Sequence, residues 1–218
     1  MEFKELWADL PTDVRSQFER DAKTMILKRG DFIYSQGDAP QGLYFVNQGL
    51  VGLIKLGFSG REHLLRFFRQ GQFFGHRALF SKEGYHGSTV ALEPTTLKLV
   101  PQESVQSALQ KNPHLLWEVV TVLSKELRRC EEQHVMILEN EILPRVAQAI
   151  VYLKDLHPQH SWTRQEIANF CASTVSTVIK ALAKLEALHL IVQEGRSIQI
   201  VDRNALILLQ EEVNPLER

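Results

Sequence analysis

Cysteine is scarce in this chain. Only Cys130 and Cys171 occur among 218 residues, and they lie in different regions. One chain therefore builds neither a disulfide framework nor a four-thiolate site, so no iron–sulfur cluster is expected. The chain also lacks an excess of charge of either sign. Lys and Arg number 25 against 26 Asp and Glu, a net charge of −1. That excludes a generally basic nucleic-acid coat protein, but not DNA binding through one local surface. No apolar run approaches the ~18 residues that span a bilayer. The N-terminal residues Met1-Glu2-Phe3-Lys4-Glu5 show no basic-then-apolar leader pattern. A cytoplasmic protein without a membrane partner is the expectation. There is no HExxH, no phosphate-binding glycine loop and no nucleophile–base pattern, so no enzymatic activity is expected. What remains is a chain with 44% hydrophobic and 23% charged residues, long enough for one large domain or two small ones.

Glycine is distributed unevenly. Ten of the twelve glycines fall in the gaps between short apolar runs, which are Met25–Leu27, Phe32–Tyr34, Leu43–Val46, Val51–Leu56, Leu64–Phe68, Thr89–Leu92 and Leu97–Val100. Short strands punctuated by turns predict an antiparallel barrel or sandwich. Ahead of it, Leu10-Pro11-Thr12-Asp13 starts a helix with Val14, Phe18 and Ala22 on one side.

After Pro101 no glycine occurs until Gly195. A helix is predicted from Asn112-Pro113 to about Asn140. Leu116, Val120, Leu123, Leu127, Cys130, His134 and Ile137 follow one another at alternating steps of four and three, 3.5 residues on average. That is the seam of a coiled coil and predicts a two-fold homodimer; the alternative is a helix lying on its own β domain. A second helix is predicted over about Pro144–Leu156, followed by a loop in which His157 and His160 are expected to be solvated. Two more helices, a ribbon (Leu190–Gln193 and Ser197–Val201) and a short helix over about Asn204–Glu212 complete a winged helix-turn-helix pattern.

The order of these elements, and the residues that carry them, resemble the CRP/FNR family of bacterial transcription regulators over nearly the whole chain. The carriers are Gly30-Asp31-Phe32-Ile33-Tyr34, Gly37-Asp38, Leu43-Tyr44-Phe45-Val46, Gly49, Gly60-Arg61-Glu62, Gly71-Gln72-Phe73-Phe74-Gly75 and Ala78-Leu79-Phe80. Thr163-Arg164-Gln165-Glu166-Ile167-Ala168 is similar to the first helix of the family's DNA-binding motif. The resemblance implies an α+β chain: a jelly-roll-like antiparallel β-roll of cyclic-nucleotide-binding type over 1–112, a dimerisation helix over 113–140 and a winged helix-turn-helix over 141–218. It implies a homodimeric regulator of palindromic double-stranded DNA, with RNA polymerase as a further partner. The alternative is a ligand-binding signalling module that acts through protein partners, its DNA-binding surface having decayed.

Expected DNA contacts are Thr163, Arg164 and Gln165 to phosphates, Thr174, Val175, Ser176, Thr177 and Lys180 on the recognition helix, and Arg196 at the ribbon turn. The family's recognition helix carries an arginine, a glutamate and a second arginine where Val175, Ser176 and Lys180 stand here, so the family's usual half-site is not expected. Residues 144–218 are electrically neutral, with eight Lys/Arg against eight Asp/Glu, which predicts weak nonspecific binding.

The effector positions differ as well. After Gly75, the family's cyclic-AMP ligands are replaced by His76, His86 and Gly87, with Arg77 and Ser88 adjacent, and by Cys130 and Glu131 on the long helix. The arginine fork and the ribose carboxylate are missing, so cyclic AMP is not expected to bind in the usual way. A different small ligand, including an anion on Arg77 or His86, or no ligand at all, is expected instead. Haem or a metal held by His76 and His86 is the lesser alternative, and no metal site is assigned. Cys130 is read as a small seam hydrophobe, with an interchain disulfide as the alternative, and Cys171 as packed in the helix-turn-helix core.

Overall fold

The structure is a computed structural model that describes residues 10–209. The chain divides into two compact units between Lys125 and Glu126, a boundary that falls inside the long helix.

The N-terminal unit opens with α1 (Thr12–Asp21) and continues with β1 (Lys23–Leu27), β2 (Phe32–Tyr34), β3 (Gly42–Gln48), β4 (Leu50–Leu56), β5 (Glu62–Arg69) and β6 (Phe73–Phe74). A short α2 (His76–Ser81) precedes β7 (Ser88–Ala91) and β8 (Thr95–Pro101), and α3 (Gln102–Lys111) follows. The strands form two four-stranded antiparallel sheets, ordered β1-β8-β3-β6 and β2-β7-β4-β5.

Strand β3 shows why its sequence is a continuous apolar run rather than an alternation. Side chains alternate between faces along a strand. Tyr44 and Val46 point into the roll with Tyr34, Val51, Phe68, Phe74 and Leu97. Leu43 and Phe45 point the other way, against Val14 and Phe18 of α1 and Val105 and Ala108 of α3. Both faces are covered, so both must be apolar. The two Gly-Asp pairs close equivalent turns: the Asp31 carboxylate accepts from the Lys28 N–H, and that of Asp38 from the Ser35 N–H, each at 2.8 Å.

Helix α4 runs from His114 to Glu139. Of the expected seam, Leu116, Val120 and Leu127 are 49%, 42% and 61% exposed. Cys130 and His134 are exposed and Leu123 and Ile137 half-buried, while Trp117, Val135 and Leu138 widen the uncovered apolar face.

The C-terminal unit continues with α5 (Ile142–Leu156), α6 (Arg164–Phe170), α7 (Val175–Ala187), the ribbon β9 (Ile191–Glu194) and β10 (Ser197–Ile200), and α8 (Arg203–Leu208). Pro144 lies inside the first turn of α5 rather than at its start, where its missing N–H costs nothing. The predicted end of the last helix at Glu212 lies outside the described residues. Ile150, Leu153, Ile167, Val178, Leu182, Leu185, Ile191 and Leu206 form the core, each at most 2% exposed. Three elements absent from the sequence reading are β6, α2 and α3. The apolar positions Val105, Ala108 and Leu109 are the helical signal for α3.

Candidate nucleic-acid interface

The helix-turn-helix is built on two caps. Thr163 caps α6 in a reciprocal box: its hydroxyl accepts from the Glu166 N–H at 3.1 Å, and its own N–H donates to Glu166 Oε2 at 2.8 Å. Glu166 is 9% exposed, and its carboxylate also meets His160 Nε2 at 3.4 Å. Burial pushes the Glu166 carboxyl up, but the bonds from His160 and Thr163 outweigh it and hold the group below its ordinary value. His160 is therefore not the solvated loop residue expected. It is 4% exposed and packs against Trp162 in an edge-on contact with centroids 4.4 Å apart.

Between α6 and α7 the chain turns through Ala172 in the left-handed region at φ 52, and the Ser173 N–H donates to Ala168 O at 2.9 Å. Thr174 then caps α7, its hydroxyl accepting from the Thr177 N–H at 3.2 Å. The same hydroxyl lies 3.0 Å from Ser176 Oγ and 2.7 Å from Thr177 Oγ1. Helix α7 ends in a paired turn: the Leu190 N–H donates to Leu185 O and the His189 N–H to Glu186 O, with His189 left-handed at φ 57.

Burial of Val178, Ala181, Leu182 and Leu185 fixes which face of α7 looks outward. Ser176, Ile179, Lys180, Ala183 and Lys184 are exposed, Val175 and Thr177 are half-buried, and Thr174 is exposed at the cap. Ile179, 51% exposed, is the residue the sequence reading missed. The 100° step per residue from the buried set places it outward, but a β-branched apolar residue reads as core by composition.

Arg164, a residue expected at a phosphate, is engaged by the ribbon. Its guanidinium donates to Arg196 O at 2.7 Å, to Gln193 Oε1 at 2.8 Å and to Gly195 O at 3.2 Å. Gln193 is held in turn by Glu186, which accepts from its backbone N–H at 2.7 Å and its side-chain amide at 3.0 Å. Glu186, Gln193 and Arg164 thus tie the ribbon to both helices. Gln165 is exposed, and its amide donates to Asn169 at 2.7 Å. The Arg196 side chain is exposed at the ribbon turn.

The effector positions separate into distinct surroundings. Gly75 stands left-handed at φ 91 before α2, where a Cβ would lie 2.8 Å from Gly42 O. His76 is 2% exposed and packs edge-on against Phe73 with centroids 5.0 Å apart. Arg77 is half-buried and acts electrostatically on Tyr34, whose hydroxyl burial pushes far up. His86 is exposed, whereas Tyr85 beside it turns inward and stacks on Tyr34 at 3.5 Å. The Tyr85 hydroxyl accepts from the Gln41 N–H at 3.1 Å. Gly87 has no room for a side chain, since a Cβ would lie 2.7 Å from Ile54 O. Ser88 Oγ already accepts from the Gln36 N–H at 2.9 Å. Cys130 and Glu131 are exposed on α4. Among the described residues, no three His, Cys, Asp or Glu side chains gather as a metal site. Cys171 is buried, its Sγ 3.7 Å from Arg145 O, and burial pushes the thiol up to about 12.

Comparison with known proteins agrees with this arrangement. Residues 24–112 match the family model of the cyclic nucleotide-binding domain, and residues 144–209 that of the Crp-like helix-turn-helix domain. The chain is 26% identical to the transcriptional activator protein Anr of Pseudomonas protegens, over 81% of this chain and 75% of that one. It is 27% identical to the cAMP-activated global transcriptional regulator CRP of Pasteurella multocida, over 75% and 83% of the two chains. A CRP/FNR-family transcriptional regulator from Thermus thermophilus, 26% identical, superposes with a TM-score of 0.74 over 88% of this chain and all of that one. No helix among the described residues is long and apolar enough to cross a membrane. The likeness carried by the glycine series and by the Thr163–Glu166 cap therefore extends through fold and sequence alike, and this chain belongs to the CRP/FNR family of DNA-binding transcription regulators.

Proposed function

We propose that the protein acts as a homodimer that reads an interrupted palindromic operator with α7, through contacts unlike the arginine–glutamate–arginine set of its family. The observation that carries this reading is the outward face of α7, on which Ser176, Ile179, Lys180 and Ala183 project from a buried, doubly capped scaffold. The uncovered apolar face of α4 supports the dimer. Two recognition helices related by a dyad enter successive major grooves about 34 Å apart.

Val175, Ile179 and Ala183 follow at steps of four and make an apolar stripe beside Ser176 and Lys180. Such a stripe suits thymine methyl groups, and Lys180 suits guanine. The β-roll takes a ligand other than cyclic AMP, or none: Tyr85 lies inside the roll, and neither arginine fork nor carboxylate stands at His86, Gly87 and His76.

Selection from random duplexes with the purified protein tests the reading. A palindrome with thymines opposite the apolar stripe is expected, and featureless recovery would overturn it in favour of a signalling module. On the recovered operator, replacing the contacted thymine by uracil removes one methyl. Wild type should weaken about fourfold per half-site, while Ile179→Ala should be indifferent to the replacement.

A further inference from the structure

The C-terminal unit contains a small polar cavity of about 110 Å³ between the end of α5, the loop that follows it and the start of β10. Lys154, Gln159, His160, Ser161, Arg196 and Ser197 supply its polar groups. Two of these are cations on separate elements, and no carboxylate lines the cavity. Asp155, next to Lys154 in the chain, is committed to Arg203 through two bonds of 2.7 and 2.6 Å. Glu166, which His160 contacts, does not line the cavity and accepts from Thr163. Among the described residues, neither the Lys154 nor the Arg196 side chain has an ion-pair partner.

We infer that this cavity is a site for a single phosphate group. Pockets for whole organic ligands are roughly 300–1,000 Å³, so a nucleotide does not fit, whereas one tetrahedral anion does. Lys154 and Arg196 supply the charge, and Ser161, Ser197 and Gln159, which also line the cavity, carry hydroxyl and amide donors. The turn that carries Arg196 is held in place by Arg164 through the Arg196 and Gly195 carbonyls, so the guanidinium projects from a fixed backbone. The phosphate is either a DNA backbone linkage or free inorganic phosphate. Only the first source rests on the DNA-binding reading.

The test uses the full-length protein and Lys154→Gln/Arg196→Gln, neither of which removes a carbonyl used by the Arg164 clamp. Inorganic phosphate is titrated at constant ionic strength while the amide signals of Ser161, Trp162 and Ser197 are followed by NMR. Saturable shifts in the wild type, absent from the double variant, are expected if free phosphate binds. In the second arm, neutral methylphosphonate linkages are placed one at a time through the operator. Weakened wild-type binding at one linkage per half-site, with no such loss in the variant, assigns the site to the DNA backbone. The variant's plot of log affinity against log salt is then shallower by about 0.9 per half-site. Unsaturating shifts shared by both proteins, together with no linkage that distinguishes them, overturn the inference. Should no duplex bind at all, the DNA-binding reading fails, and the phosphate titration alone decides the cavity.

Discussion

Replacing Arg164 by alanine separates the two roles that this residue can have. The guanidinium makes three hydrogen bonds to the ribbon, at 2.7, 2.8 and 3.2 Å, two of them exposed and one partly buried. A buried bond to a charged group contributes roughly 1.5–3 kcal/mol, but solvent screening lowers that for exposed groups. The three together then contribute about 1–2 kcal/mol. The ribbon has only four residue pairs, and an isolated two-stranded ribbon is marginal in water, so the loss falls on local opening. At about 1.4 kcal/mol per tenfold, ribbon amides of Arg164→Ala should exchange roughly five- to thirtyfold faster. Those of α5 and α7 should change little. Native-state hydrogen exchange followed by NMR measures both in one sample. Affinity should fall on every operator alike, because a displaced ribbon carries no base information. Ribbon exchange unchanged within twofold, together with a salt slope reduced by about 0.9 per half-site, would refute the clamp and return Arg164 to a phosphate contact.

Glu166→Gln tests the electrostatics of the cap. The folded-state carboxyl is held below its ordinary value of 4.5, so its stabilisation is present above that value and is lost as pH falls through the lower folded value. The thermal midpoint of the wild type should therefore drop on acidification below about pH 4.5, while the glutamine variant should be less stable at pH 7 and flatter in acid. A variant midpoint equal to the wild type at pH 7 would contradict this. Leu127→Asp places a charge on the exposed face of α4. Losing a buried leucine from each of two copies costs about 3–6 kcal/mol, so sedimentation should show monomers at concentrations where the wild type is dimeric. Cyclic AMP should give no saturable heat in calorimetry up to millimolar concentration, and a low-micromolar dissociation constant would overturn the reading of the roll.

Periodicity carried much of the architecture. Glycine-punctuated apolar runs announced the strands because a turn at positive φ and a two-sided apolar strand both leave local traces. The extent of α4 and its apolar positions were readable because a helical period repeats within one element. The Thr163–Glu166 box was equally local, spanning one helical turn. Other features depend on residues far apart in the chain. Two-residue β6 exists only because Phe73 and Phe74 pair with Phe45 and Tyr44 of β3. His160 looked like a loop histidine until the folded loop placed it against Glu166 and Trp162. The ribbon bonds of Arg164 were not legible because its partners Gln193, Gly195 and Arg196 lie some thirty residues further on. Ile179 went unassigned because an apolar residue carries no polar signature of a binding face, and the packing of α7 shows it to be outward. Local patterning set the elements and their apolar faces. Hydrogen bonds across long sequence separations, which leave no periodic trace, decided which charged and polar side chains remain available to a ligand.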